Sequence, residues 1–142
     1  MASLSGIIEF GFVDQQIEET PAGVIVEKSS PTATGALNDF TIATRDASDN
    51  AFFGLVSLGQ DNAIGAGTNS KAVPIANETE LTLMVATNEQ TETTLWVNGM
   101  QTDVERSGPS RYSDLAIWLF ADTTSLVVDY IQSWQERVSM IS

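Results

Sequence analysis

The feature that most constrains this fold is an alternation of apolar and polar residues with a period of two, repeated along short runs. Successive side chains of a β-strand point to opposite faces, so this period is typical of strands that cover a core. The runs are rich in β-branched and aromatic residues, and turn residues separate them. Strands are predicted at Gly6–Val13, Gly23–Lys28, Asp39–Arg45, Phe52–Leu58, Thr79–Thr87, Thr93–Val97, Met100–Val104, Leu115–Ala121 and Ser125–Trp134.

The order of these runs favours a single all-β domain over residues 1–142. The sequence has no long amphipathic helix between strands, and 42% of its 142 residues are apolar, enough for one core. We therefore expect an antiparallel β-sandwich of about eight or nine short strands with little helix. Ser29–Asn38 and Gly59–Ala72 are predicted to be loops, because they hold proline and glycine and few apolar residues.

The C-terminal third carries apolar residues that need a covering surface. Leu115–Ala121 is apolar on both faces, which predicts a central strand or one covered by a partner or loop. Trp118 and Trp134 are expected to pack in the core. A strand to about Trp134 is followed by a candidate docking tail at 135–142, whose apolar residues are Val138, Met140 and Ile141.

The clearest local signal is a β-hairpin centred on Asn98-Gly99. Both residues tolerate positive φ, and Asn-Gly between alternating strands is typical of a two-residue type I′ turn. This turn predicts that Leu95, Val97 and Met100 face the core and that Trp96 lies on the outer face. The predicted register pairs Val97 with Met100, Trp96 with Gln101, Leu95 with Thr102 and Thr94 with Asp103.

Several segments resemble known sandwich proteins. Leu81-x-Leu-x-Val, Thr94-Leu-Trp-Val-Asn-Gly, Leu115-Ala-Ile-Trp-Leu and Val127-Val-Asp-Tyr-Ile-Gln look like the second half of a concanavalin-like (laminin-G-like) jelly roll. Ile8-Glu-Phe-Gly-Phe-Val-Asp, Ala22-Gly-Val-Ile-Val-Glu and Asn38-Asp-Phe-Thr-Ile-Ala-Thr-Arg-Asp look like sandwich proteins of tailed-bacteriophage virions. The resemblance implies a jelly roll. Because 142 residues is short for that family, an edge strand is expected to be missing or to come from a neighbouring protomer.

The charge of the chain argues against two classes of partner. Asp and Glu number 19 and Lys and Arg only 6, for a net charge of −13. Such a surface repels phosphate backbones and anionic lipids, so neither nucleic acid nor membrane is expected as a partner. The N-terminal residues lack the basic and apolar regions of a signal peptide, and no run has the length of a transmembrane segment.

The absence of cysteine and histidine excludes much catalytic chemistry. Thiolate nucleophiles, Ser-His-Asp triads and zinc sites of His or Cys all need these residues. Retaining glucanases of the concanavalin-like fold carry an E-x-D-x-(x)-E strand, which this sequence lacks. The clusters Asp46, Asp49, Asn50 and Asp61, Asn62 are interpreted as turn formers rather than calcium ligands. We therefore predict no enzyme activity, no catalytic residue, no metal and no cofactor.

The resemblance implies a structural protein of a virion. The expected role is a bacteriophage capsid decoration (cement) or head-fibre protein, made in the host cytoplasm and placed on the capsid exterior. The expected partners are the major capsid protein or another virion protein and further copies of the chain, as a dimer or trimer. The alternative is a lectin-like module of a tail or fibre that binds a host glycan. The candidate contact residues for either partner are Trp96, Gln101, Arg111 and Tyr112.

Overall fold

The structure is a computed structural model that describes residues 6–14, 25–27, 32–33, 39–45, 53–59, 65–66, 80–88, 90–109, 114–122 and 126–135. Ten β-strands run through these residues, which contain no helix, in agreement with the prediction of an all-β chain with little helix. The strands are β1 (Ile7–Val13), β2 (Ile25–Glu27), β3 (Thr32–Ala33), β4 (Phe40–Arg45), β5 (Gly54–Leu58), β6 (Gly65–Ala66), β7 (Leu83–Thr87), β8 (Thr93–Val97), β9 (Met100–Glu105) and β10 (Ala116–Asp122).

Two antiparallel sheets form the sandwich. The larger has the order β10-β1-β4-β5-β6, and the smaller is the meander β7-β8-β9; β2 and β3 form a separate short ladder. β7, β8 and β9 pack on β1, β4 and β5. The predicted antiparallel β-sandwich is therefore confirmed, with shorter strands at several positions.

The core lies between the two sheets. Ala43 and Leu55 from the larger sheet meet Val85, Leu95 and Val97 from the smaller one, and all five are buried. Phe10 and Phe12 of β1 pack at the margin of this cluster. Burying a side chain of this size stabilises the fold by about 1.5–3 kcal/mol, so the cluster holds the sheets together.

The central strands of the larger sheet are also buried on their second face. All six residues of β4 are buried, although Phe40, Ile42 and Thr44 point away from the smaller sheet. Val13 and Val56 lie on the same side and are buried as well. This sheet therefore has two covered faces at its centre, unlike a sheet with one solvated side.

The position of β10 decides between the alternatives predicted for Leu115–Ala121, a central strand or one covered by a partner or loop. In the described residues β10 is the terminal strand of its sheet and its partner is β1, so the central position is not the one found. The three-stranded sheet packs on β1, β4 and β5, which leaves Ile117 and Leu119 of β10 exposed by 45% and 39%. An apolar residue pattern on both faces does not require that the chain itself covers both of them.

The other differences lie in short or unpaired segments. The predicted strand Ser125–Trp134 is wrong over residues 126–134, which form no strand ladder and are all exposed. β3 and β6 lie inside the predicted loops Ser29–Asn38 and Gly59–Ala72, where two-residue ladders are too short to leave an alternating pattern. Val138, Met140 and Ile141 lie outside the described residues.

Candidate interaction surfaces

The β8–β9 hairpin has the predicted turn. Asn98 and Gly99 have φ of 52° and 78°, as a type I′ turn requires. The Asn98 side chain also accepts a hydrogen bond from the Thr82 N–H at 2.9 Å, and the Asn98 N–H donates to the Thr82 carbonyl at 2.8 Å. These two bonds attach the turn to the residues before β7, so the three-stranded sheet is fixed at this end.

A β-bulge changes the register beyond the turn. Val97 pairs with Met100 and Trp96 with Gln101 as predicted, but Leu95 pairs with Asp103 and Thr94 with Val104. The predicted pairs of Leu95 with Thr102 and Thr94 with Asp103 are therefore wrong. Thr102 is the extra residue, and two residues of β9 now stand opposite one of β8.

The bulge places a carboxylate between the sheets. Asp103 is 2% exposed, and its Oδ2 accepts a hydrogen bond from the Leu55 N–H at 3.1 Å. In the described residues β6 pairs with Val56 and Ser57, and Asp103 gives the Leu55 N–H of β5 an acceptor. A buried N–H without an acceptor is costly, so this bond stabilises the packing of β9 against β5.

Trp96 lies on the outer face of the three-stranded sheet, as predicted. Its neighbours in sequence, Leu95 and Val97, are buried in the core, whereas the Trp96 side chain is half-buried. Met84 of β7 and Gln101 of β9 pair with it on either side. We call Met84, Trp96 and Gln101 the Trp96 row. Met100, predicted to face the core, is instead 49% exposed, and it lies directly after the turn, at the end of the sheet.

The face around the Trp96 row is more apolar than the sequence predicts. The next row across the sheet is Ala86, Thr94 and Val104, all half-buried. Without the bulge, Asp103 would pair with Thr94 on this face; with it, the carboxylate is buried and a valine takes the outer position. Met84 and Val104 are neighbours of Trp96 on this face that were not predicted from the sequence.

An exposed apolar surface lies after β10. It is formed by residues 126–135, which we call the C-terminal arm. Trp134, predicted to be in the core, is 63% exposed, so that prediction is wrong. The arm also carries Leu126, Val127, Val128, Tyr130 and Ile131 in exposed positions, and it follows β10, where Ile117 and Leu119 are exposed.

Trp118 connects the edge strand to β1. Its indole Nε1–H donates a hydrogen bond of 2.7 Å to Oε2 of Glu9, which is completely buried. The ring is half-buried and stacks on Phe120, with centroids 6.0 Å apart and an interplanar angle of 13°. The sequence places Glu9 and Trp118 far apart and gives no sign of this bond. Its effect is to hold β10 beside β1, and among the described strands none pairs with the other edge of β10.

The remaining predicted site residues lie outside the described part of the chain. These are Arg111, Tyr112 and the Asp and Asn residues of the two clusters at 46–50 and 61–62. Among the residues that the structure describes, no group of three or more acidic side chains is arranged to hold a metal ion.

Comparison with protein-family models, with curated proteins and with solved structures found no match to this chain. In the described ranges, no helix has the length and apolar character needed to cross a membrane. The Trp96 row and the C-terminal arm are thus the surfaces from which a function can be inferred.

Proposed function

We propose that this protein is a non-enzymatic structural protein of a tailed-bacteriophage virion, a decoration (cement) or head-fibre protein on the capsid exterior. The observation that carries the proposal is the Trp96 row, an aromatic-centred sheet face that the core does not use. The resemblance of residues 79–135 to a concanavalin-like jelly roll, and of the first half to virion sandwich proteins, supports the same conclusion.

The chemistry of this face suits a protein partner. Tryptophan is enriched at the residues that dominate binding energy, and the half-buried Trp96 indole lies beside the exposed Gln101 side chain on this face. Met84 adds a flexible apolar side chain beside the indole. The bulge removes an acidic side chain from the same face, so the apolar contact is not opposed by a local negative charge.

A decoration protein of this size needs several weak contacts. When copies of the chain associate, each additional capsid contact becomes intramolecular, and modest individual affinities combine into stable attachment. The predicted homo-oligomer would therefore increase the strength of capsid binding without a larger interface on each copy.

A lectin-like module is the second candidate, and the same row favours it. The Trp96 ring can stack on a pyranose, and the exposed Gln101 amide can hydrogen-bond sugar hydroxyls. The difference between the two candidates lies in the partner, so a binding experiment separates them.

The decisive experiment is co-sedimentation with empty capsids assembled from the major capsid protein of the same genome, with a glycan array in parallel. A decoration protein binds the capsids and no glycan, and Trp96→Ala weakens capsid binding about thirtyfold, the effect of a 2 kcal/mol hot spot. Met100→Ala, a change on the same hairpin but the opposite face, is the control and should leave binding unchanged.

The variant must also stay folded. Trp96 lies outside the inter-sheet core, so we expect Trp96→Ala to change the free energy of unfolding by only about 1 kcal/mol, measured by urea denaturation. A loss of about 3–5 kcal/mol would mean that Trp96 is a core residue. Glycan binding abolished by Trp96→Ala would establish the lectin instead, and binding to neither partner would contradict both candidates.

A further inference from the structure

We infer that the C-terminal arm of one copy adds as a β-strand to the exposed edge of β10 in a second copy, so that the protein associates by exchanging arms. This inference concerns the chain itself and holds whether or not the protein belongs to a virion. Three observations carry it: the exposure of the arm, the open edge of β10, and the distribution of charge.

The arm is unusually apolar for a segment in water. All its residues are exposed, and Val127, Tyr130 and Trp134 reach 94%, 72% and 63%. A contiguous apolar segment of this kind marks an interaction site, because its burial is favoured by the hydrophobic effect.

The arm has the sequence of a strand. β-branched and aromatic residues dominate it, and these residues favour strands. In a strand, the even-numbered positions would share one face that is largely apolar, whereas Asp129 and Ser133 would lie on the other. The largely apolar face would consist of Leu126, Val128, Tyr130, Gln132 and Trp134, and the opposite face would carry Val127 and Ile131 beside the polar residues.

β10 offers an edge to such a strand. It ends the order of its sheet, and within the described ranges no strand pairs with its outer side. An unpaired edge presents backbone donors and acceptors that can pair with another chain. Ile117 and Leu119 stand opposite Phe12 and Phe10 in the register with β1, so side chains of an added strand would extend the existing core face.

The occupant that fits both surfaces is a second copy. Each copy has one arm and one open edge, so two copies that exchange arms use both in a closed, symmetric arrangement. A buried aromatic side chain removes about 150–250 Å² from water, and each arm carries Tyr130 and Trp134. The four aromatics of a dimer alone would provide roughly half of the 1,200–2,000 Å² of a stable interface.

Charge also favours this contact. Each copy carries −13, so two copies repel each other over most of their surfaces. The contact proposed here avoids that repulsion, since Asp129 is the only charged residue in 126–135 and Asp122 the only one in β10. Salt screens the remaining repulsion. Self-association should therefore strengthen between 50 mM and 500 mM NaCl.

The test is disulfide formation between two copies of different size. The chain has no cysteine, so each disulfide must involve the introduced cysteines. A tagged Leu119→Cys copy is mixed with an untagged copy that carries one cysteine in the arm. Residues paired across neighbouring strands meet the Cα separation that a disulfide needs, about 4.4–6.8 Å. We expect a heterodimer on a non-reducing gel with Val128→Cys or Tyr130→Cys, and much less with Ser133→Cys.

Variants of the arm test the same contact without cross-linking. Tyr130→Asp places a charge on the apolar face of the arm and should give a monomer by sedimentation velocity. Ser133→Asp adds the same charge on the opposite face and should leave the oligomer intact. If neither arm cysteine links two copies, or if a chain with both Leu119→Cys and Tyr130→Cys closes only on itself, the inference is wrong. A wild-type monomer at both salt concentrations would also overturn it.

Discussion

At the scale of single residues, the bond between Trp118 and Glu9 is the contact with the clearest energetic consequence. The Glu9 carboxyl is completely buried on β1, and the indole N–H donates to its Oε2 at 2.7 Å. A buried acceptor that loses a donor loses part of the compensation for its dehydration. The bond therefore stabilises the placement of β10 beside β1.

Trp118→Phe removes this donor and keeps an aromatic ring. We expect a loss of about 1.5–3 kcal/mol in the free energy of unfolding, the contribution of a hydrogen bond to a charged group. Urea denaturation measures it. Trp96→Phe makes the same chemical change on the outer face of the other sheet and should cost less than 1 kcal/mol. Equal effects of the two substitutions would show that the Glu9 bond contributes nothing to stability.

At the scale of elements, two substitutions in the β8–β9 hairpin distinguish the energetic cost of backbone strain from that of side-chain packing. Gly99 has φ of 78°, and a Cβ built on it meets no atom within 4 Å. Gly99→Val therefore tests conformation alone, and we expect it to cost about 1–2 kcal/mol or more because a β-branched residue disfavours positive φ. Met100→Leu, at a half-exposed position, should change stability by about 0.5 kcal/mol at most. Thermal unfolding measures both, and similar melting temperatures would contradict the type I′ turn.

The strands and turns also show which structural features depend on neighbouring residues in the sequence and can be predicted from them. The Asn98-Gly99 turn and the alternation of Leu95, Trp96 and Val97 depend on neighbours in the chain, and both were predicted correctly. The bulge at Thr102 depends on the Leu55 N–H of the other sheet, so no pattern within β9 could predict it. The face of Trp96 was therefore predictable, whereas its neighbour Val104 was not.

The edge position of β10 could not be predicted for a related reason. Apolar residues on both faces of a strand favour a position with two covered faces, but they do not specify which segment or chain covers them. The arm posed the same problem, because its strand-like sequence has no partner strand within the described part of the chain. A segment that pairs with another chain has the same residue pattern as a strand that pairs within its own chain, so the sequence does not distinguish the two.

At the scale of the whole molecule, the exposure of the arm makes it separable from the sandwich. A chain that ends at residue 125 should keep the fold, since the core cluster contains no arm residue. It should also lose self-association. Binding between copies stabilises the folded state in proportion to the logarithm of concentration, so the melting temperature of the full chain should rise with protein concentration. The melting temperature of the shortened chain should not change with concentration.

The control for this prediction is Ser133→Asp, which keeps the arm and its apolar face and should retain the concentration dependence. A shortened chain that no longer unfolds cooperatively would mean that the arm belongs to the core of its own copy. If the shortened chain remains an oligomer, the copies contact each other through another surface, such as the Trp96 row. In that case Trp96→Ala in the shortened chain would give a monomer, because an indole at the centre of an interface carries much of its binding energy.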